Sequence, residues 1–154
     1  MNKKNKIKKL RYHDKGNVHM DFHGATNTTI EFIIKKYGLD VMNDIFSKVG
    51  KNVYKNIREN IKNGDIEVLA EHWRYFFDRE GADYSIDFKE EEIILTVHRC
   101  TAYEHVRKLT GSVSPHFCDQ TIKTNEALSE GTPYIIDTEI IGEAQCRQTI
   151  KKRV

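Results

Sequence analysis

Up to Gly81 the apolar residues of this chain recur every three or four positions; immediately after it they alternate. Side chains three or four apart share a helix face, and side chains two apart share a strand face. The switch therefore dictates a mixed fold with helices first. Ile30, Ile33, Ile34 and Tyr37 fall on one helical face, which predicts a helix from Thr26 to Tyr37 stopped by Gly38. Val41, Ile45, Val49, Val53, Ile57 and Ile61 keep a four-residue step, widened by Met42, Phe46 and Tyr54. They predict one long helix capped by Asp40 and ended at Asn63-Gly64. A third helix, capped by Asp65, turns Leu69, Trp73, Phe76 and Phe77 inward and ends at Gly81.

Beyond Gly81, Tyr84, Ile86 and Phe88 alternate, Lys89-Glu90-Glu91 makes a polar turn, and Ile93, Leu95 and Val97 alternate again: a β-hairpin. Thr101 to Leu109 returns to helical spacing, with Ala102, Val106 and Leu109 inward, and Gly111 breaks it. Ser114-Pro115 reads as a cap followed by proline at the first helical position, opening a helix that runs to about Leu128. Tyr134 to Ile140 and Gln145 to Ile150 alternate across Gly142, a second hairpin. The expected fold is α+β: N-terminal helices, then two hairpins forming one antiparallel sheet, with a helical pair between them.

Charge narrows the function classes. Residues 1–11 hold six of the 25 Lys+Arg and no acid, leaving 19 basic against 23 acidic groups on the remainder. A nucleic-acid reader carries its positive charge on the fold, interleaved with aromatics. Here it sits on a terminal arm, so the expected organisation is a flexible basic arm over 1–16 and a single domain over 17–154. Nucleic acid is not the expected partner. No apolar run approaches the ~20 residues of a membrane span. The N-terminal lysines have no apolar stretch behind them, unlike a secretory signal. A cytoplasmic protein is the expectation, and its three cysteines, Cys100, Cys118 and Cys146, are then thiols. The Val41–Ile61 stripe offers a surface for a homo-oligomer.

The strongest local chemistry is Ser114-Pro115-His116-Phe117-Cys118-Asp119. With Ser114 as the cap, Cys118 lies near a helix N-terminus, where free N–H groups and a partial positive charge favour a thiolate. His116 is then a candidate base, and Cys118 a candidate nucleophile. The bland alternative is a small buried side chain on an amphipathic helix. His98 and Cys100 close a strand on the same face. Cys100, Cys118 and Cys146 with His98 or His116 would also make a Cys₃His set suited to zinc, though the spacing is not that of a zinc finger. His72 and His105 fall on apolar helical faces, where a hydrogen-bonded core histidine is the simpler reading. His23 precedes a helix, where it brings a polar group to a pocket mouth or serves as a cap. Glu71, Glu80 and Asp83 are candidate carboxylates.

Val97-His98-Arg99-Cys100-Thr101-Ala102, His116-Phe117-Cys118-Asp119 and Gly142-Glu143-Ala144-Gln145-Cys146-Arg147-Gln148 carry a resemblance. Asp21-Phe22-His23-Gly24, Tyr37-Gly38 and Phe77-Asp78-Arg79-Glu80-Gly81 extend it over about residues 17–152. The chain resembles the L-2-amino-thiazoline-4-carboxylic acid hydrolase family, departing from it at Thr101, where a proline is common. The resemblance implies a fold like the helical α+β ligand-binding domains of the 4-vinyl reductase type. It also implies hydrolysis of a small cyclic amidine or thiazoline at the ring carbon between the heteroatoms. For that chemistry the expected parts are Cys118 as nucleophile or metal ligand, His116 or His98 as base, and Asp119 orienting a histidine. Arg99 or Arg147 would grip a substrate carboxylate. Cys100, Cys146, His23 and His72 would complete the substrate pocket. No cofactor is required on this reading, zinc being the alternative use of the thiols. Two other classes stay open: a non-enzymatic sensor of a small molecule or metal, and a structural or adaptor protein whose helices dimerise through the Val41–Ile61 stripe.

Overall fold

Alternating apolar residues form the two hairpins at the positions the sequence predicts. β1 (Asp83–Lys89) pairs with β2 (Glu92–Arg99), and β3 (Tyr134–Gly142) with β4 (Gln145–Lys152), all antiparallel. The hairpins join through β2 and β4, giving the order β1-β2-β4-β3. In this register Ile93 faces Ile150, Leu95 faces Gln148 and Val97 faces Cys146. Because side chains alternate, these six share the covered face of the sheet, while His98, Arg147 and Thr149 belong to rows on the other. The computed structural model of the chain describes Leu10 and residues 15–154; most of the basic arm expected over 1–16 lies outside them.

The helices are α1 (Asp21–Tyr37), α2 (Leu39–Lys48), α3 (Lys55–Lys62), α4 (Glu67–Glu80), α5 (Thr101–Thr110) and α6 (Asp119–Ser129). The architecture is α+β, with α5 and α6 between the hairpins. Three boundaries differ from the sequence reading. First, α1 begins five residues before Thr26, at Asp21, whose carboxylate suits a first turn. Second, the long four-residue stripe is not one helix. Residues Val49–Val53 form a π-helical turn between α2 and α3, in which the Tyr54 N–H donates to the carbonyl of Val49 at 3.1 Å. The wider turn rotates the inward face. Met42, Phe46, Gly50, Ile57 and Ile61 are buried, whereas Val41, Ile45 and Val53 of the expected stripe are each more than a third exposed. Gly50 permits the contact that results. A Cβ there would lie 2.7 Å from the Thr124 carbonyl oxygen and 2.8 Å from Ala127 Cβ, both on α6.

Third, α6 starts at Asp119 rather than at Ser114. The Phe117 N–H donates to the Ser114 carbonyl at 3.0 Å and the Asp119 N–H to the His116 carbonyl at 3.1 Å, so residues 114–119 are consecutive tight turns. Ser114 does cap, but it caps the turn: its Oγ accepts from the His116 N–H at 3.1 Å. Phe117 is drawn inward to Ile30, Met42, Phe46 and Val106.

That apolar group is separate from the main core, in which Ile57, Ile61, Leu69, Trp73 and Leu128 pack on the inner face of the sheet. Each such fully buried side chain contributes roughly 1.5–3 kcal/mol of burial. The two clusters leave a seam between them, and two cavities of the molecule lie along it. No helix among the described residues is long and apolar enough to cross a membrane.

Candidate active site

Each cysteine reaches the seam from a different element. Cys100 follows the last residue of β2 and caps α5 by its backbone; its N–H donates to the Ala144 carbonyl at 2.8 Å and its carbonyl accepts from Glu104 at 3.1 Å. Cys146 sits in β4 between Val97 and Ile140 of the neighbouring strands. Cys118 immediately precedes α6, and its carbonyl accepts from Thr121 and Ile122 at 3.0 and 3.2 Å. All three line one cavity of about 430 Å³. Such a volume suits a small molecule.

A histidine–carboxylate pair stands in the same wall. His23, on the first turn of α1, has its Nε2 2.9 Å from Oε1 of Glu80, the last residue of α4. Their side chains are 12% and 8% exposed. Glu80 ends a helix, where an anion opposes the helix dipole; its partner is the reason it is tolerated there. With Nε2–H donated to the carboxylate, Nδ1 becomes the unprotonated nitrogen of a neutral ring, able to accept a proton. The Thr101 hydroxyl fixes the end of α4 by donating to the Glu80 carbonyl at 2.9 Å. Gln148, buried in β4, completes the polar part of the wall: its Oε1 accepts from Asn125 at 2.8 Å and its amide approaches Cys146 Sγ at 3.7 Å. The turn after β3 closes the cavity with Ala144, buried in the left-handed region at φ 55°, a strained conformation for a residue with a Cβ.

The thiols are held neutral. Burial pushes Cys118 up to about 12, helped by the negative charge that Cys100, Cys146 or Asp119 would place nearby. Burial likewise raises Cys100, against the opposing pull of the Tyr103 and Ala102 N–H groups, and raises Cys146 against the Gln148 amide. The sequence favours a thiolate at Cys118 because of the helix N-terminus. That effect amounts to ~0.3–1 kcal/mol at an ordinary terminus, less than one pKa unit, so burial outweighs it.

Several expected site residues lie elsewhere. His98 is exposed and bonds Ser85 at 3.1 Å on the uncovered face of the sheet, because strand alternation ends at Arg99 and Cys100 turns away from it. Arg99 is exposed and pairs with Glu104 at 3.0 Å; Arg147, opposite Glu139 in the register, pairs with it at 3.7 Å. Among the described residues no lysine or arginine lines the thiol cavity, whereas Glu80 and Glu143 do. His116 is oriented by Asp119, Nδ1 to Oδ2 at 2.8 Å, as the sequence anticipates for a histidine near Asp119, but neither lines the cavity. His72 lines a second, larger cavity, with its ring edge-on to Tyr54 and Phe76; desolvation pushes it down to about 4. Among the described residues no three His, Cys, Asp or Glu side chains converge as a metal-binding group. The zinc set expected from the three cysteines and His98 or His116 therefore has its sulfurs around one cavity, without ligand geometry and without either histidine beside them.

Sequence reasoning places His23 at a pocket mouth and names Glu80 as a carboxylate without joining them. The 57-residue separation hides the pair; the one available signal is the anion at a helix C-terminus. The fold and site define an α+β chain with a thiol-lined, small-molecule-sized cavity. Compared with known proteins, the sequence matches no protein-family profile and no curated protein.

Proposed function

We propose that this chain is a small-molecule hydrolase that opens a compact cyclic amidine or thiazoline at the ring carbon between the heteroatoms. The observation that carries the reading is the His23–Glu80 pair in the wall of the same cavity as Cys118. The resemblance to the L-2-amino-thiazoline-4-carboxylic acid hydrolases supplies the substrate class. The base is then His23, not His116 or His98.

The Cys118 proton passes to Nδ1 of His23 as the sulfur attacks the ring carbon. A carbon–sulfur bond forms, and the C=N π pair moves onto the ring nitrogen. Glu80 stabilises the imidazolium; the nitrogen pair then re-forms the C=N bond as the other ring heteroatom leaves with its bond pair, and the imidazolium protonates that heteroatom. Water, deprotonated by His23, displaces Cys118 and restores the thiol. A thiol that ionises only during attack suits a buried cavity, because no anion is stored there between turnovers. The charge of the wall also selects. Glu80 is engaged by His23 and Glu143 by Arg107, and no lysine or arginine lines the cavity among the described residues, so the wall offers no fork for a substrate carboxylate.

A screen of cyclic amidines and thiazolines by mass spectrometry tests this, followed by variants on whichever compound is opened. Cys118→Ala should abolish turnover while the protein stays folded. His23→Gln should slow it ~10²–10⁴-fold, the usual share of a general base. Retention of full activity by both variants would overturn the assignment. A second reading, a non-enzymatic sensor of 4-vinyl reductase-like fold, is favoured by the neutral state of all three thiols. It predicts binding of the same compounds without turnover.

A further inference from the structure

The larger cavity, about 610 Å³, lies against the thiol cavity: Phe77, Gln120, Thr121 and Gln148 line both. Among the described residues no carboxylate, thiol, lysine or arginine lines it. Ile30, Met42 and Phe46 face it from the small cluster, and Trp73, Phe76 and Leu128 from the other side of the seam. It reaches solvent where Phe22, Ala25, Thr29 and Ile45 line it, all of them exposed. His72 in this wall stays neutral at physiological pH. The molecule thus holds two mainly apolar chambers that abut at four residues, with the thiols, His23, Glu80 and Glu143 confined to the smaller one. The ring of a cyclic amidine occupies only part of such a pair.

Resting on the hydrolase reading, we infer that the substrate is amphipathic. Its ring lies in the thiol chamber and carries an apolar substituent that passes Phe77 and Gln148 into the chamber between α1, α2 and α4. Gln148 suits that boundary. Its carboxamide is held on one side by Asn125 and reaches Cys146 on the other, so it orients the head without a charge that the apolar substituent would have to pass. Burial of each added methylene is worth about fourfold in affinity until the chamber is full.

The test is calorimetric titration of the full chain with 2-aminothiazolines bearing no, butyl, hexyl or octyl substituents. The same series is run on Ala25→Trp, an exposed α1 position whose new ring plugs the apolar chamber and leaves the thiol wall untouched. Decan-1-ol, which has the chain but no ring, is titrated into both proteins. The expected result is affinity that climbs with chain length in the native protein and stays at the level of the unsubstituted ring in Ala25→Trp. Ring binding that is independent of chain length overturns the inference and leaves the hydrolase reading standing. Decanol binding that Ala25→Trp abolishes, with no ring compound bound, overturns the hydrolase reading and retains the apolar chamber alone. Binding of neither overturns both.

Discussion

Gly50→Ala is the sharpest probe of how the helical layer holds the thiol cavity together. The added methyl would lie 2.7 Å from the Thr124 carbonyl oxygen and 2.8 Å from Ala127 Cβ. One of these atoms is backbone, so a rotamer change gives no relief and α6 itself must move away from the π-helical turn. Overpacking of this kind costs about 1–3 kcal/mol. Alanine's better helix propensity returns up to ~1 kcal/mol, so a net loss of roughly 1–2 kcal/mol is expected. For a domain of this size that lowers Tm by about 2–8 °C. Because Cys118 immediately precedes α6 and Thr121 lies in its first turn, the displacement is transmitted to the cavity wall. Urea unfolding measures the stability loss, and the rate of modification by a disulfide reagent at pH 8 reports the opening around Cys118. A Gly50→Ala protein as stable as the native one, with unchanged thiol kinetics, would refute the close approach and the role given to the π turn.

Further outcomes follow from the buried polar groups. His72 has a folded-state pKa near 4, below the 6.5 of the free side chain, so the unfolded chain binds more protons between these values. Stability should therefore fall as pH drops from 6.5 to 4, by at most about 3 kcal/mol, and His72→Phe should flatten that limb in acid denaturation curves. The thiols act at the other end: Cys118 is pushed from its ordinary value of 9 to about 12, so the neutral form belongs to the fold and stability should decline as pH rises above 9. Thiolate absorbance near 240 nm should accordingly show no native titration below about pH 9, and an inflection near 7 would contradict the burial argument. Asn125→Leu removes the donor to Gln148 and Thr138 and leaves the buried Gln148 acceptor unpaired, a loss of about 1–3 kcal/mol measurable by chemical denaturation.

Strand positions were legible because alternation is a strong local signal. Ile93, Leu95 and Val97 all proved buried, and the hairpin ends fall within a residue or two of the predicted turns. The long stripe misled because a four-residue step looks the same in one helix as in two helices joined by a π turn. Only the contact of Gly50 with α6, made at a distance of more than 70 positions, decides between them. Ser114-Pro115 carried a true cap signal, but the inward pull of Phe117 is tertiary and delays the helix to Asp119. The gathering of the three cysteines was anticipated as a condition, although no local spacing encodes it. His98 and Arg147 were misplaced because a strand side chain looks alike from either face until the register shows which face is covered, whereas Arg99 shares the parity of Val97 but is exposed at the very end of β2, paired with Glu104.

The strand order has a bearing on biosynthesis. β4 is a central strand, bonded to both β2 and β3, yet among the elements of the described residues it is made last. While a ribosome still holds residues 145–152, β2 presents a bare edge with Ile93, Leu95 and Val97 beside it, the kind of edge that recruits foreign strands. The sheet can therefore close only once Lys152 has left the exit tunnel. A nascent chain arrested at Gly142 should be a client for holding chaperones, whereas one released beyond Lys152 should zip the two hairpins together in a single step.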